Sequence, residues 1–169
     1  MLAIFAGRGA DCAFRETVCK RLKEKTNITE ISNGGIISEG VHPTELTAIF
    51  EKNPLHLRAN GAVLILNRCS TVRRVSGERF CICNSANSED VEIARRSGGE
   101  VITCGMSLRD SVTFSSFTDE QCVISIQRRL TRFDGSCVEP FELPLYCSAQ
   151  EDRYGILCAN LLLILGGYL

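Results

Sequence analysis

Residues 80–104 read FCICNSANSEDVEIARRSGGEVITC. Phe80-Cys-Ile-Cys83 is a short apolar run, the pattern of a strand buried on both faces. Asn87 or Ser88 suits the cap of a helix, and Asp90 sits in its first turn, where the dipole favours an acid. Val91, Ile93 and Ala94 supply an inner face. Gly98-Gly99 closes the helix where a left-handed residue is wanted. Val101-Ile-Thr-Cys104 is the next strand. Strand, helix and strand in so short a span make a crossover between parallel strands, and such crossovers are right-handed.

The same grammar extends towards the N-terminus. Leu2 to Ala6 is an apolar run that enters Gly7-Arg8-Gly9, a first strand feeding a glycine turn. Phe14, Val18 and Leu22 recur every four residues among Arg15, Glu16, Lys20 and Lys23, an amphipathic helix that Asn27 ends. Ile28 to Ile31 reads as a second strand, and Asn33-Gly34-Gly35 as a turn. Pro43 suits the first turn of a helix running to about Lys52, closed by Pro54. Ala62-Val-Leu-Ile-Leu66 is another strand buried on both faces.

Beyond Gly105 the period changes. Residues 111–115, 122–127 and 141–145 alternate polar with apolar, as strands with one buried face do. Asp134-Gly135 marks a turn. Pro140 and Pro144 place the last strand at an edge. The run from about Arg153 to Leu165 is a buried helix ending at Gly166-Gly167. It is too short for a membrane span, which takes about 20 apolar residues, and Asn160 interrupts it. The expectation is one α/β domain over residues 1–169, three-layered, with a mostly parallel sheet of P-loop or Rossmann-like type. Residues 1–105 form its parallel part, 106–149 a small antiparallel sheet, and 150–169 a closing helix.

Composition narrows the function. The chain has 169 residues, 44% apolar and 23% charged, with a net charge of −1. That fits a folded domain and gives no electrostatic footprint for nucleic acid. No apolar leader of signal-peptide type opens the chain, so a cytoplasmic setting away from the membrane is expected. The ten cysteines include no CxxC pair. Most lie in apolar runs, where a reduced thiol behaves as a small hydrophobe. Cys81 and Cys83, with Cys104 on a neighbouring strand, are the candidates for a thiol or metal site. Neither His42 nor His56 has ligand spacing, and no metal-binding residues are assigned.

The order of elements resembles the central, ATP-binding domain of the Mur ligase and folylpolyglutamate synthase family. Leu2-Ala-Ile-Phe-Ala-Gly7 is similar to that family's first strand and the start of its phosphate loop. Ala62 to Asn67 resembles the strand that ends in Asn. Phe80 to Asn84, with the Ser-Ala-Asn-Ser-Glu-Asp that follows, resembles the strand that ends in Asn-Ala-Asp-Asp. Glu100 to Gly105 resembles the segment that precedes the family's alternating strands. Leu161 to Gly166 is similar to its last helix. The resemblance implies ATP and magnesium as cofactors and a bacterial cell-wall setting. It also implies a nucleotide site at Gly7, Arg8, Gly9, Ala10, Asp11, Cys12 and Asn84.

The departures fall on the chemistry. The family writes its loop Gly-Thr-x-Gly-Lys-Thr, where lysine offsets phosphate charge and the hydroxyl meets magnesium. Asp11 stands at the lysine position and Cys12, a poor ligand for a hard cation, at the hydroxyl position. One unit pair about 4 Å apart is worth about 4 kcal/mol at an effective dielectric near 20. Reversing that charge costs roughly a thousandfold or more in affinity, which Arg8 offsets only in part. No Asp-His-Leu-Asp follows Asn67. Ala86 and Asn87 replace the acidic pair, and residues 150–154 lack the family's asparagines. His42, with Glu39 and Glu45 on either side, does not align with a catalytic position.

The family's acceptor-binding and C-terminal domains are expected to be missing, and with them the closure of domains around the acyl phosphate. The expected function is a degenerate central domain that acts as a binding, regulatory or scaffold module, with no catalytic residue, no cofactor, and a protein partner or second copy as its ligand. The first alternative is a divergent ATP-dependent amide ligase component that binds nucleotide at the Gly7–Cys12 turn. The second is a thiol or metal-binding protein.

Overall fold

A computed structural model describes residues 1–7, 12–32, 35–39, 45–52, 54–69 and 71–169, with Cys12 and Glu39 placed by backbone alone. The chain begins with β1 (Leu2–Gly7), α1 (Cys12–Lys23), β2 (Asn27–Ser32), β3 (Gly35–Glu39), β4 (Glu45–Lys52), β5 (His56–Arg58) and β6 (Val63–Asn67). It continues through β7 (Arg74–Ser76), β8 (Phe80–Asn84), α2 (Ser88–Arg96), β9 (Glu100–Cys104), β10 (Val112–Phe117) and β11 (Gln121–Ile126). It closes with β12 (Leu130–Thr131), β13 (Cys137–Val138), β14 (Phe141–Tyr146) and α3 (Arg153–Leu165).

Ten strands form one sheet in the order β14-β11-β10-β9-β8-β6-β1-β4-β2-β3. From β2 to β10 neighbouring strands are parallel, and β3, β11 and β14 add antiparallel pairs at the two ends. The antiparallel part therefore continues the parallel sheet edge to edge. Smaller pairs, β12 with β13 and β5 with β7, lie outside it.

Side chains alternate across the central strands, as the pleat requires. Ala3, Phe5, Val63, Ile65, Phe80 and Ile82 face one core with α1 and α3. Ile4, Leu64, Leu66, Cys81 and Cys83 face the other with α2. Leu57 and Val75, from β5 and β7, pack on that second core. The layers are thus α1 and α3, then the sheet, then α2 with the β5–β7 ribbon. All of α3 except Arg153 is buried. Its Asn160 spends its amide on the Ile156 carbonyl at 2.8 Å.

Three expectations need correction. Residues 45–52 are not helical. They form β4, inserted between β1 and β2, and Leu46, Ala48 and Phe50 are buried at a period of two. The β-branched Thr47 and Ile49 between them suit a strand. Pro43 and His42 lie outside the described residues, as do Asn33 and Gly34. The first helix ends at Lys23 rather than Asn27. The end of α2 is not a left-handed glycine cap. Ser97 is extended, and the buried Glu78 carboxylate accepts the N–H groups of Gly98 at 2.7 Å and Gly99 at 3.1 Å. At Gly99 a Cβ would lie 3.0 Å from the Arg79 carbonyl, so close approach of the backbone explains the glycine.

Candidate functional site

In an open α/β sheet, ligands bind beyond the carboxyl ends of strands whose connections part in opposite directions. Here that point lies between β1 and β6. The chain leaves β1 through α1 towards β2, and leaves β6 through β7 towards β8, on the other side of the sheet. Gly7 and Asn67, the last residues of the two strands, are in register. The expected site therefore begins where the topology opens a crevice. Gly7 has φ of +156°, and an added Cβ would run into the Asn67 carbonyl. On the other flank Gly7 is in register with Lys52 at the end of β4.

The edge beyond β6 is built by Asp90. Asn87 caps α2 by accepting the N–H groups of Glu89 and Asp90 at 3.0 and 3.1 Å. This turns the Asp90 carboxylate towards the residues that follow β6. It accepts the Arg68 N–H at 2.9 Å and the Cys69 N–H at 2.7 Å. Arg68 is held at a φ of +52°, rare for a residue with a side chain. Asp90 is fully buried. Burial pushes its pKa up and the two N–H bonds oppose the rise. Asp90→Ala orphans both donors and should lower stability by about 2 kcal/mol in urea denaturation, while Asp90→Asn, which keeps one acceptor, costs about half as much. Equal losses would show that the oxygens do not hold this turn.

The next ends in the sheet are tied in the same way. Asn84 uses its side-chain oxygen to accept the Ala86 N–H at 3.0 Å. Asp110, buried, accepts the Ser85 hydroxyl at 3.0 Å and the Ser107 N–H at 3.0 Å. A Cβ on Gly105 would lie 2.5 Å from the Asp110 carboxylate. From the α3 layer, the Tyr154 hydroxyl donates to the Leu66 carbonyl at 2.7 Å. Burial raises the Tyr154 pKa well above its ordinary value and keeps that proton in place. Lys52 is exposed at the end of β4, in register with Gly7. Met106 and Leu108 are exposed in the loop after β9, at 61% and 80%.

Among the sequence-predicted site residues, Gly7 and Asn84 end parallel strands of this edge, two places apart in the sheet, with β6 between them. Arg8, Gly9, Ala10 and Asp11 lie outside the described residues, and Cys12 opens α1 with its side chain undescribed. Sequence reasoning missed Lys52, Asp90 as a loop holder, Asp110 and Tyr154. Lys52 was hidden by the helical reading of its segment. Asp90 was read as a helix-dipole residue, and no sequence signal tied it to Arg68.

The sulfur trio does not assemble. Cys81 and Cys83 face the α2 core, and Cys104 faces the α1–α3 core. Burial pushes the Cys81 and Cys83 thiols up to about 12, which suits core packing. No group of three metal-ligating side chains converges among the described residues. Among them, too, no helix is long and apolar enough to cross a membrane.

No protein-family profile and no curated protein matches this chain. Among solved structures it is similar to UDP-N-acetylmuramoyl-L-alanyl-D-glutamate–2,6-diaminopimelate ligase, with a TM-score of 0.54 and 6% identity. The match covers 98% of this chain and 42% of the ligase, so the chain spans less than half the length of that protein. At so low an identity the likeness is one of fold, and the fold is Mur-ligase-like: an α/β domain with a large, mostly parallel sheet.

Proposed function

We propose that this protein is a Mur-ligase-like module without ligase or ATPase activity, which acts by binding a protein partner or a second copy of itself. The observation that carries this reading is the commitment of the buried Asp90 carboxylate at the crevice. Asp90 spends both oxygens on the Arg68 and Cys69 N–H groups, and Asp110, farther along the sheet, spends Oδ2 on the Ser85 hydroxyl and the Ser107 N–H. A magnesium nucleotide needs free oxygen ligands for its metal, and Asp90 has none to give, which speaks against that cofactor. The sequence agrees, since Asp11 and Cys12 stand where the charge and the hydroxyl belong. Met106 and Leu108, exposed in the loop after β9 on the same edge of the sheet, suit contact with protein better than contact with phosphate.

Thermal denaturation with and without ATP and magnesium tests this. A ligand at about 100 times its Kd stabilises by about 2.7 kcal/mol, several degrees for a chain of this size. The expected result is no rise in Tm with millimolar nucleotide. A clear rise would overturn the proposal.

Lys52 favours a second reading, a divergent ATP-dependent amide ligase component whose site is completed by a partner chain. Its ammonium makes no ion pair or hydrogen bond among the described residues, and its strand flanks Gly7. With Arg8 it would supply the missing positive charge. Nucleotide binding that disappears in both Lys52→Ala and Arg8→Ala would support this reading over the first.

A further inference from the structure

The outer surface of the α2 layer carries a feature that the crevice does not use. β5 and β7 pair in parallel, with His56 opposite Arg74 and Arg58 opposite Ser76. Leu57 and Val75 turn inward to the core, so His56, Arg58, Arg74 and Ser76 turn outward. They line an open groove of about 700 Å³ with Asn60 and Gly77. Arg74 also lines a smaller hollow of about 160 Å³ with Val72, Arg73, Val75, Ile93 and Arg96. That hollow shares Val72, Arg73 and Arg96 with a third, of about 420 Å³, which adds the exposed Leu55 and Thr71. Shared walls make the three one trough.

Its charge is mainly basic. Five cationic or ionisable nitrogen side chains and no acid line these three hollows, while a fourth of about 260 Å³, which shares Val72, Ile93 and Arg96, brings Glu89 and Glu92 to the α2 end. Arg96 is paired with Glu92 at 3.6 Å. The guanidiniums of Arg58, Arg73 and Arg74 have no carboxylate partner among the described residues. Like charges on adjacent strands repel, and the chain as a whole carries slightly more acid than base. The floor is apolar: Val72 and Val75 lie beneath, and Leu55 is 55% exposed.

We infer that this trough binds an acidic, extended peptide segment of a partner protein, with aliphatic side chains between its carboxylates. Charge complementarity selects the acid, and guanidinium forks match carboxylates bidentately. The apolar floor accepts the intervening aliphatic groups. The open, elongated form suits a chain and not an enclosed small molecule. The inference rests on no reading of the Gly7–Asn67 crevice, whose residues do not line the trough.

The test is fluorescence anisotropy with a labelled peptide of alternating Glu and Leu, using a Gln–Leu peptide and a single-stranded oligonucleotide of equal charge as comparison probes. The Glu–Leu peptide should bind, and weaken at least about threefold when salt rises from about 50 to about 300 mM. The Arg58→Gln, Arg74→Gln double variant should lose about tenfold or more, since exposed arginines at the centre of an interface dominate it. Leu55→Ser should lose about threefold. Arg95→Gln, an exposed arginine on α2 outside the trough, should stay within about twofold. Arg8→Ala should also stay within about twofold, which separates this surface from any phosphate loop. Leu55, Arg58, Arg74 and Arg95 are exposed, and an unchanged Tm checks the fold of each variant. Absence of peptide binding, equal loss in Arg95→Gln, equal binding of the Gln–Leu peptide or tighter binding of the oligonucleotide would each overturn the inference.

Discussion

Gly7→Ala should lower the stability of this protein by about 3 kcal/mol or more, the range reserved for forced overlaps in a packed interior. The added methyl would overlap the Asn67 carbonyl. That oxygen is not the end of a movable side chain. It belongs to β6, locked in register to β1 from Ala3–Val63 through Gly7–Asn67. Relief requires the two central strands to part at the crevice, which disturbs both cores. Gly135→Ala is the control. Gly135 has φ of +88° but open space around its Cα. Its substitution carries only the left-handed penalty, about 1–2 kcal/mol. Urea denaturation of both variants separates overlap from backbone strain. Equal losses would show that the contact with Asn67 is not what requires glycine.

Arg21→Ala should cost about 3 kcal/mol, because it leaves a buried carboxylate with only the Ser148 N–H at 3.0 Å and Lys20 at 3.5 Å. Arg21 donates through Nε and Nη2 to the two oxygens of Glu151 at 3.1 and 2.9 Å, and through Nη2 to the Tyr146 carbonyl at 2.9 Å. Both side chains of the pair are 8% exposed. The fork joins α1 to the turn that launches α3, where Asp152 caps the helix at the Gly155 N–H. Burial works to raise the Glu151 pKa, but the bonds and charge of Arg21, helped by the Ser148 N–H and Lys20, outweigh it, and the net shift is downward. A lowered acid stabilises the fold above its unfolded pKa, about 4.3. That contribution fades as pH falls through the lowered value. The gap between wild type and Arg21→Ala should therefore be full at pH 7 and narrow markedly below about pH 4. A gap that persists undiminished in acid would assign the effect to packing of the arginine stem.

The architecture was legible wherever local pattern and tertiary environment agree. The Phe80–Cys104 unit, β1, β6 and α3 have sequences whose period, caps and apolar runs all favour one structure. Residues 45–52 show the opposite case. ELTAIFEK follows a proline and contains good helix formers, yet its place between β1 and β2 rewards a strand. Only the neighbours decide it. β5 and β7, three residues each, are too short to leave a period. The location of the crevice was legible through Gly7 and Asn67, because strand ends follow from strand assignments. The bonds that tie its edge were not. Asp90 meets Arg68 and Cys69 from over 20 residues away, and Tyr154 reaches Leu66 from 88. Contacts of that separation leave no trace in spacing.

Helix α3 is almost wholly enclosed, and every strand precedes it in the chain. During synthesis the sheet can therefore form before the helix that covers one of its faces has emerged. Until residue 165 clears the ribosome, only α1 covers that face, and Phe14 lacks the Tyr154 ring that stacks on it in the finished fold. The nascent protein passes through a stage with one finished core and one greasy, unsealed face. Elongation pauses before residue 153 prolong that stage, and holdase chaperones have their longest opportunity to engage the chain there.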